Sequence, residues 1–293
     1  MYDFSALYEA TSVSHAVQLM QEHPDAVLIA GGSDVLIKLR EGKLAGAELI
    51  SIYKLDELRE VTIDPDGALR IGPMTSFSHA TKSPVLQQYM PVLGEAADTA
   101  GGPQLRNVGT VGGNICNGVT SADTASTEVA YDAVLEITGA NGVRKLSIHD
   151  FYKGPGKVAL EKGELLTAIL IPKESYENCY GYYIKYAMRN AMDIATIGCS
   201  VNVVLSADKQ TIQRARIAYG VAGPVPMRAR TAEAALAGQP VGEGAIEIVG
   251  REVLNDVNPR TSWRASADFR KQIISETARR GLRAAIERAG GVF

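Results

Sequence analysis

The sequence predicts an α+β chain built as two domains. Its 293 residues are more than one ordinary domain holds. Short strand patterns punctuated by turns fill its first part, with hairpin signals at Asp64–Gly67 and Asn141–Gly142. Beyond residue 175, three long strand-like segments are followed by helices, the pattern of a meander packed against helices.

In order along the chain, Ser12 or Ser14 can cap a helix whose apolar face is Val13, Ala16, Val17, Leu19 and Met20. Ala26–Ala30 reads as a short buried strand broken at Gly31-Gly32. Ser33 or Asp34 can cap the helix Val35–Leu39, and Leu49–Ile52 is another strand. Val61–Ile63 and Ala68–Ile71 form the first hairpin. Pro91–Ala100 is an Ala-rich helix, and Asp123–Tyr131 a second. Val134–Thr138 and Val143–Ser147 form the second hairpin, and Leu165–Ile171 closes the region as a strand stopped by Pro172. The polar run Lys173–Asn178 reads as the domain boundary. Strands are expected over Tyr180–Met188, Ala195–Leu205 and Ile212–Val221, then helices over Ala232–Leu236, Ile246–Leu254 and Ser266–Arg288.

Composition narrows the function. Hydrophobic residues make up 46% and charged residues 22%, enough apolar material for a real core. The net charge of -3 offers no basic block for nucleic acid or an anionic membrane. The N-terminus, MYDFSALYEA, lacks the pattern of a secretory signal, and no apolar run is long enough to span a bilayer, so a cytoplasmic location is expected. Cys116, Cys179 and Cys199 are scattered and show no CxxC spacing. They are too few for an iron–sulfur cluster, which takes four thiolates. His15, His23, His79 and His149 show no metal-ligand pairing either, so no metal site is assigned and metal redox chemistry is expected on another chain.

Two glycine-rich segments can carry chemistry. Leu28-Ile29-Ala30-Gly31-Gly32-Ser33-Asp34-Val35 is a strand-to-helix turn, which serves either as a plain tight connection or as a cradle whose N–H groups take a pyrophosphate. Thr110-Val111-Gly112-Gly113-Asn114, with Asn117-Gly118 and Ser121-Ala122-Asp123 close behind, is either an irregular loop held by Asx turns or the lining of an oxygen-rich ligand's groove. Neither has the spacing of a Rossmann turn or a P-loop. Cys116 has no cationic neighbour in sequence and reads as a packing residue. Tyr180, Tyr182, Tyr183 and Tyr186 read mainly as a strand with one core-facing aromatic side, from which one ring could cover a ligand.

LIAGGSDVL, TVGGNICNG and SAD, in that order, resemble the FAD-binding subunits of the xanthine dehydrogenase family of molybdenum hydroxylases. The resemblance continues through Lys185–Arg189 with Asp193-Ile194-Ala195, and through Trp263–Ser266 with Phe269-Arg270. It implies a two-subdomain FAD-binding domain of the PCMH (vanillyl-alcohol-oxidase-like) type over residues 1–175, with subdomains of about 1–55 and 56–175. A smaller domain, 176–293, with a three-stranded antiparallel sheet and helices would follow. It also implies noncovalent FAD contacted by Leu28–Val35 and Thr110–Asn114, a polar contact from Asp123, an apolar one from Leu166, and Lys185 near the pyrimidine edge of the flavin. From its residues alone, Lys185 reads as a solvated strand lysine. In vertebrate relatives two adjacent acids follow the lysine where Met192-Asp193 stands here, and an aromatic stands in place of Ala100.

The implied function is electron transfer from a 2Fe–2S subunit to FAD and on to NAD, while a molybdopterin-carrying large subunit oxidises a purine such as xanthine. The implied assembly is a dimer of heterotrimers. No acid–base catalyst is assigned to this chain. Related hydroxylases of nicotinate, aldehydes or carbon monoxide are the alternatives, together with a free-standing flavin oxidoreductase and a scaffold that has lost FAD. Glycines 31, 32, 112 and 113 weigh against the scaffold, which would not need them.

Overall fold

A computed structural model describes residues 2–293. The chain begins with β1 (Phe4–Glu9), α1 (Val13–Glu22), β2 (Val27–Ile29), α2 (Val35–Arg40) and β3 (Ala47–Ser51). The three strands form a parallel sheet in the order β1-β3-β2. Ser12 caps α1 by accepting the N–H of His15 at 3.0 Å, and Ala16, Val17, Leu19 and Met20 are its buried face. β1 is an addition to the expected elements. It is an edge strand, and its partner β3 lies some forty residues away.

A hairpin of β4 (Val61–Ile63) and β5 (Leu69–Ile71) leads into six short helices: α3 (Phe77–Lys82), α4 (Pro84–Tyr89), α5 (Pro91–Asp98), α6 (Pro103–Val108), α7 (Val111–Cys116) and α8 (Ala125–Ala130). The hairpin β6 (Val134–Gly139) and β7 (Gly142–Ser147), α9 (Ile148–Phe151), the small pair β8 (Tyr152–Gly154) and β9 (Lys157–Val158), and β10 (Leu165–Ile171) complete a five-stranded sheet in the order β4-β5-β10-β6-β7. β10 is last in sequence but central in space. All seven of its residues are buried, which is why LLTAILI shows no alternation. A register shift between Leu166 and Ala168 bulges the strand there.

The polar run after Pro172 is the helical turn α10 (Lys173–Tyr176), anchored by the hydroxyl of Tyr176 donating to Gly67 O at 2.7 Å. Next come β11 (Tyr180–Tyr186), β12 (Ile197–Leu205), β13 (Ile212–Gly220) and β14 (Met227–Arg228), an antiparallel sheet in that order. The two-residue β14 extends the expected three-stranded meander. α11 (Arg230–Leu236), α12 (Glu243–Glu252) and α13 (Ala267–Arg288) follow. α13 and α11 pack on this sheet, with α12 against both of them, while α5 and α8 of the preceding region also meet it. Both faces are thus covered, so Tyr183 enters the first core while Tyr182 packs against the second. The expectation of a single core-facing aromatic side is corrected accordingly.

Asp132, in a left-handed conformation (φ 52°) after α8, ties these regions together. Its carboxylate meets His149 Nε2 at 2.6 Å, Arg216 of β13 at 2.7 Å and Arg228 of β14.

Candidate FAD site

The first glycine-rich segment turns from β2 into α2 against the end of α6. A Cβ on Gly31 would stand 1.6 Å from Val108 O, so two backbones touch where only glycine fits. Gly32 has φ +79°. Either Ser33 or Asp34 is the expected cap, yet neither side chain hydrogen-bonds the first turn of α2. The N–H groups of Gly31 through Val35 have no partner among the described residues, although Gly32 is buried. Buried donors are nearly always paired, so the free N–H of Gly32, followed by open N–H groups at the helix start, marks a place where something else accepts them.

The second segment is a capped helical turn rather than an irregular loop. Thr110 caps α7 by accepting the N–H of Gly113 at 3.0 Å. The N–H groups of Val111 and Gly112 donate to Thr75 O and Pro73 O, and that of Asn114 to Thr110 O, each at 2.9 Å. The main-chain donors of Val111 to Asn114 are therefore consumed. What it presents is a side chain: Asn114 Oδ1 accepts from Thr124 N (3.1 Å) and Thr124 Oγ1 (2.8 Å), leaving Nδ2 for the cleft.

These segments face each other across a cleft of about 420 Å³. Of the expected residues, Ala30 to Val35, Thr110, Gly113, Asn114 and Asp123 line it. An apolar recess of about 240 Å³, sharing Ala30 and Gly113, is lined by Leu28, Gly112 and the bulged Leu166, with Cys116 and Met74. A third cavity of about 460 Å³, sharing Gly101, Met192 and Asp193, holds Lys185, Thr99 and Arg189. Ile29 and Val111 line none of these. Both are buried core residues.

Three comparisons with known proteins bear on this architecture. Residues 2–174 match the family described as the FAD binding domain in molybdopterin dehydrogenase, and residues 182–285 match the CO dehydrogenase flavoprotein C-terminal domain. The chain belongs to the FAD-binding subunits of the molybdenum hydroxylase family. Over 99% of both chains it is 43% identical to the putative xanthine dehydrogenase FAD-binding subunit of Escherichia coli K12. It is 30% identical over 94% of both chains to the carbon monoxide dehydrogenase medium chain of Hydrogenophaga pseudoflava. A solved structure of the enzyme from that organism superposes with a TM-score of 0.92 over 98% of this chain and 99% of the other. The fold is thus the PCMH-type FAD-binding domain followed by the smaller flavoprotein domain.

The donor set suits FAD. A pyrophosphate needs several hydrogen-bond donors, and the turn of this flavoprotein subunit offers a row of N–H groups beside the Ser33 hydroxyl and Asn114 Nδ2. The bare cations nearby are already used: Lys38 donates to Asn117 Oδ1 at 3.1 Å. Lys185 is corrected from a solvated strand lysine to a buried one, its side chain 8% exposed. Its Nζ is 3.0 Å from Asp123 Oδ1 and donates to Thr99 O at 3.0 Å. Burial pushes the Asp123 carboxyl up, against the pull of Lys185. Asp193 is likewise turned inward to its own loop, accepting from the N–H groups of Arg189 and Ile194, each at 2.9 Å.

The four glycines do not by themselves exclude a scaffold that has lost FAD. Gly31 and Gly112 are demanded by contacts with Val108 and Pro73 (a Gly112 Cβ would lie 2.3 Å from Pro73 Cβ), and Gly32 by its dihedral, with or without a ligand. The free N–H groups from Gly31 to Val35 are what a bound group would need. Sequence reading also missed Phe77, Leu105 and Ile37 in the cleft wall, because they come from short helices with no distinctive motif. Cys116 faces the apolar recess. Its thiol is pushed up to about 12 by burial and by Glu128, which suits packing rather than redox work.

Proposed function

We propose that this subunit binds FAD noncovalently along the three joined cavities and serves a xanthine or purine dehydrogenase of the cytoplasm. The observation that carries the site is the row of unpartnered N–H groups from Gly31 to Val35, opening between an apolar recess and the buried Lys185–Asp123 pair. In this reading those N–H groups, Ser33 and Asn114 hold the pyrophosphate, and Leu28 and Leu166 give a dry wall to the ring. Asp123 and Thr99 fix the Lys185 ammonium beside the ring's polar edge, where a cation favours negative charge. Bound FAD supplies the exchange of single electrons from a 2Fe–2S subunit for a hydride delivered to NAD. The oxidation itself belongs to a molybdopterin-carrying large subunit, and the assembly is a dimer of heterotrimers. The domain division at residues 175/176 belongs to the same reading. The purine assignment rests on the 43% identity to the Escherichia coli xanthine dehydrogenase subunit.

The test is purification of the tagged chain from its native cell, with an absorbance spectrum, identification of copurifying chains, and xanthine-dependent NAD reduction. Noncovalent FAD with both partners and purine turnover is the expected result. A yellow protein without partners points to a free-standing oxidoreductase, and a colourless one unable to take up FAD overturns the reading.

A further inference from the structure

The segment joining α12 to α13 ends in a rigid turn. Ser262 and Ala265 exchange main-chain hydrogen bonds of 3.0 and 3.2 Å around Trp263 and Arg264, and upstream Asn258 N–H donates to Ala222 O at 2.9 Å. Beneath the turn lies Arg270 of α13, only 2% exposed. Its guanidinium donates to Thr196 O, just before β12, and to Ser262 Oγ at 2.9 Å. A buried guanidinium ordinarily faces a carboxylate. Here the charged neighbours that influence it are Arg260 and Arg264, and with burial, the larger effect, they push it down from its usual value. The Nε atoms of Arg264 and Arg270 are buried without partners. Trp263, the one tryptophan of the chain, projects from this cationic base at 76% exposure, and the Arg264 guanidinium stacks 4.2 Å from its ring centroid.

We propose that the Trp263–Arg264 turn is a docking point for a partner subunit whose contacting segment brings a carboxylate to Arg260 and Arg264 and a recess for the indole. Three arginines without an acid make a local positive potential that a carboxylate relieves, and desolvation in an interface strengthens such a pair. Tryptophan and arginine are the side chains in which binding energy concentrates. The Arg270 clamp holds the turn in shape beforehand, so little ordering entropy is lost on contact. The net charge of -3 leaves this patch as a local feature and gives no general attraction for polyanions. The inference rests on the reading of this chain as one subunit of a hydroxylase complex.

A chain labelled with 5-fluorotryptophan carries one fluorine resonance, from position 263. The FAD-loaded labelled chain is mixed with unlabelled molybdenum and iron–sulfur subunits, and the complex is isolated by size exclusion. The resonance is expected to move and to lose its H2O/D2O solvent shift in the complex. An Arg260→Glu/Arg264→Glu chain with unchanged FAD content and Tm should assemble about tenfold more weakly. A complex in which the resonance keeps its full solvent shift overturns the docking point and leaves the hydroxylase reading standing. Failure of the unsubstituted chain to form any complex overturns both.

Discussion

Lys185 Nζ lies 3.0 Å from Asp123 Oδ1, with the two side chains only 8% and 13% exposed, so an ion pair largely withdrawn from water joins β11 to the segment before α8. Such a pair is costly to break from one side, because the remaining charge stays buried. Lys185→Met is expected to lower unfolding stability by about 3–5 kcal/mol at neutral pH. The loss should shrink as pH falls, since an unpaired, buried Asp123 can take up a proton. Urea unfolding of the variant at several pH values checks both parts. An equal loss at every pH would show that the effect is packing rather than charge.

Glu128 of α8 is fully buried, so desolvation drives its carboxyl well above the ordinary value of 4.5, against a weaker pull from Thr124. The native state then keeps a proton that the unfolded chain releases. Stability is whole below 4.5 and declines as pH rises toward the folded-state value. Glu128→Gln removes this dependence. Its stability advantage over the natural chain should be near zero at the acid end and grow by about 1.4 kcal/mol per pH unit through that window. Paired denaturation curves on either side of it would measure the slope.

Asn114→Asp tests the cleft at a single atom. The new carboxylate still accepts from Thr124, as Oδ1 does now at 2.8 and 3.1 Å, but the donor facing the cleft becomes a negative oxygen. FAD affinity should fall by roughly 10- to 100-fold with little change in Tm, the size of a lost donor to a charged group plus repulsion. Quenching of FAD fluorescence by the deflavinated chain gives the constant. Unchanged affinity would remove Asn114 from the pyrophosphate contacts.

Gly31→Ala places a methyl 1.6 Å from Val108 O, a backbone atom that cannot swing away. Strain of about 1–3 kcal/mol or more is expected, with the turn displaced and FAD lost together. Gly32→Ala, at φ +79°, should cost about 1–2 kcal/mol through the left-handed conformation, with Leu36 and Ile29 also close to the added methyl. Thermal unfolding with and without added FAD separates fold strain from ligand loss.

The chain's local chemistry alone determined the two hairpins and the helix caps. Asp64–Gly67 and Asn141-Gly142 specify their turns through residues tolerant of positive φ, and Ser12 and Ser266 supply caps within their own helices. The order of glycine-rich motifs likewise carried the family. What lay beyond reach depends on residues far apart in sequence. β1 acquires its partner only when β3 closes the parallel sheet, and β10 becomes central only when two hairpins flank it. The second glycine-rich segment became a capped helical turn because Thr75 and Pro73 accept its N–H groups. Lys185 looks solvated by its neighbours in sequence, yet it is buried because Asp123 and Thr99 meet it from other elements. Turn and capping energies act over a few residues and are written in them, whereas desolvation and ion pairing depend on which surfaces the completed fold brings together.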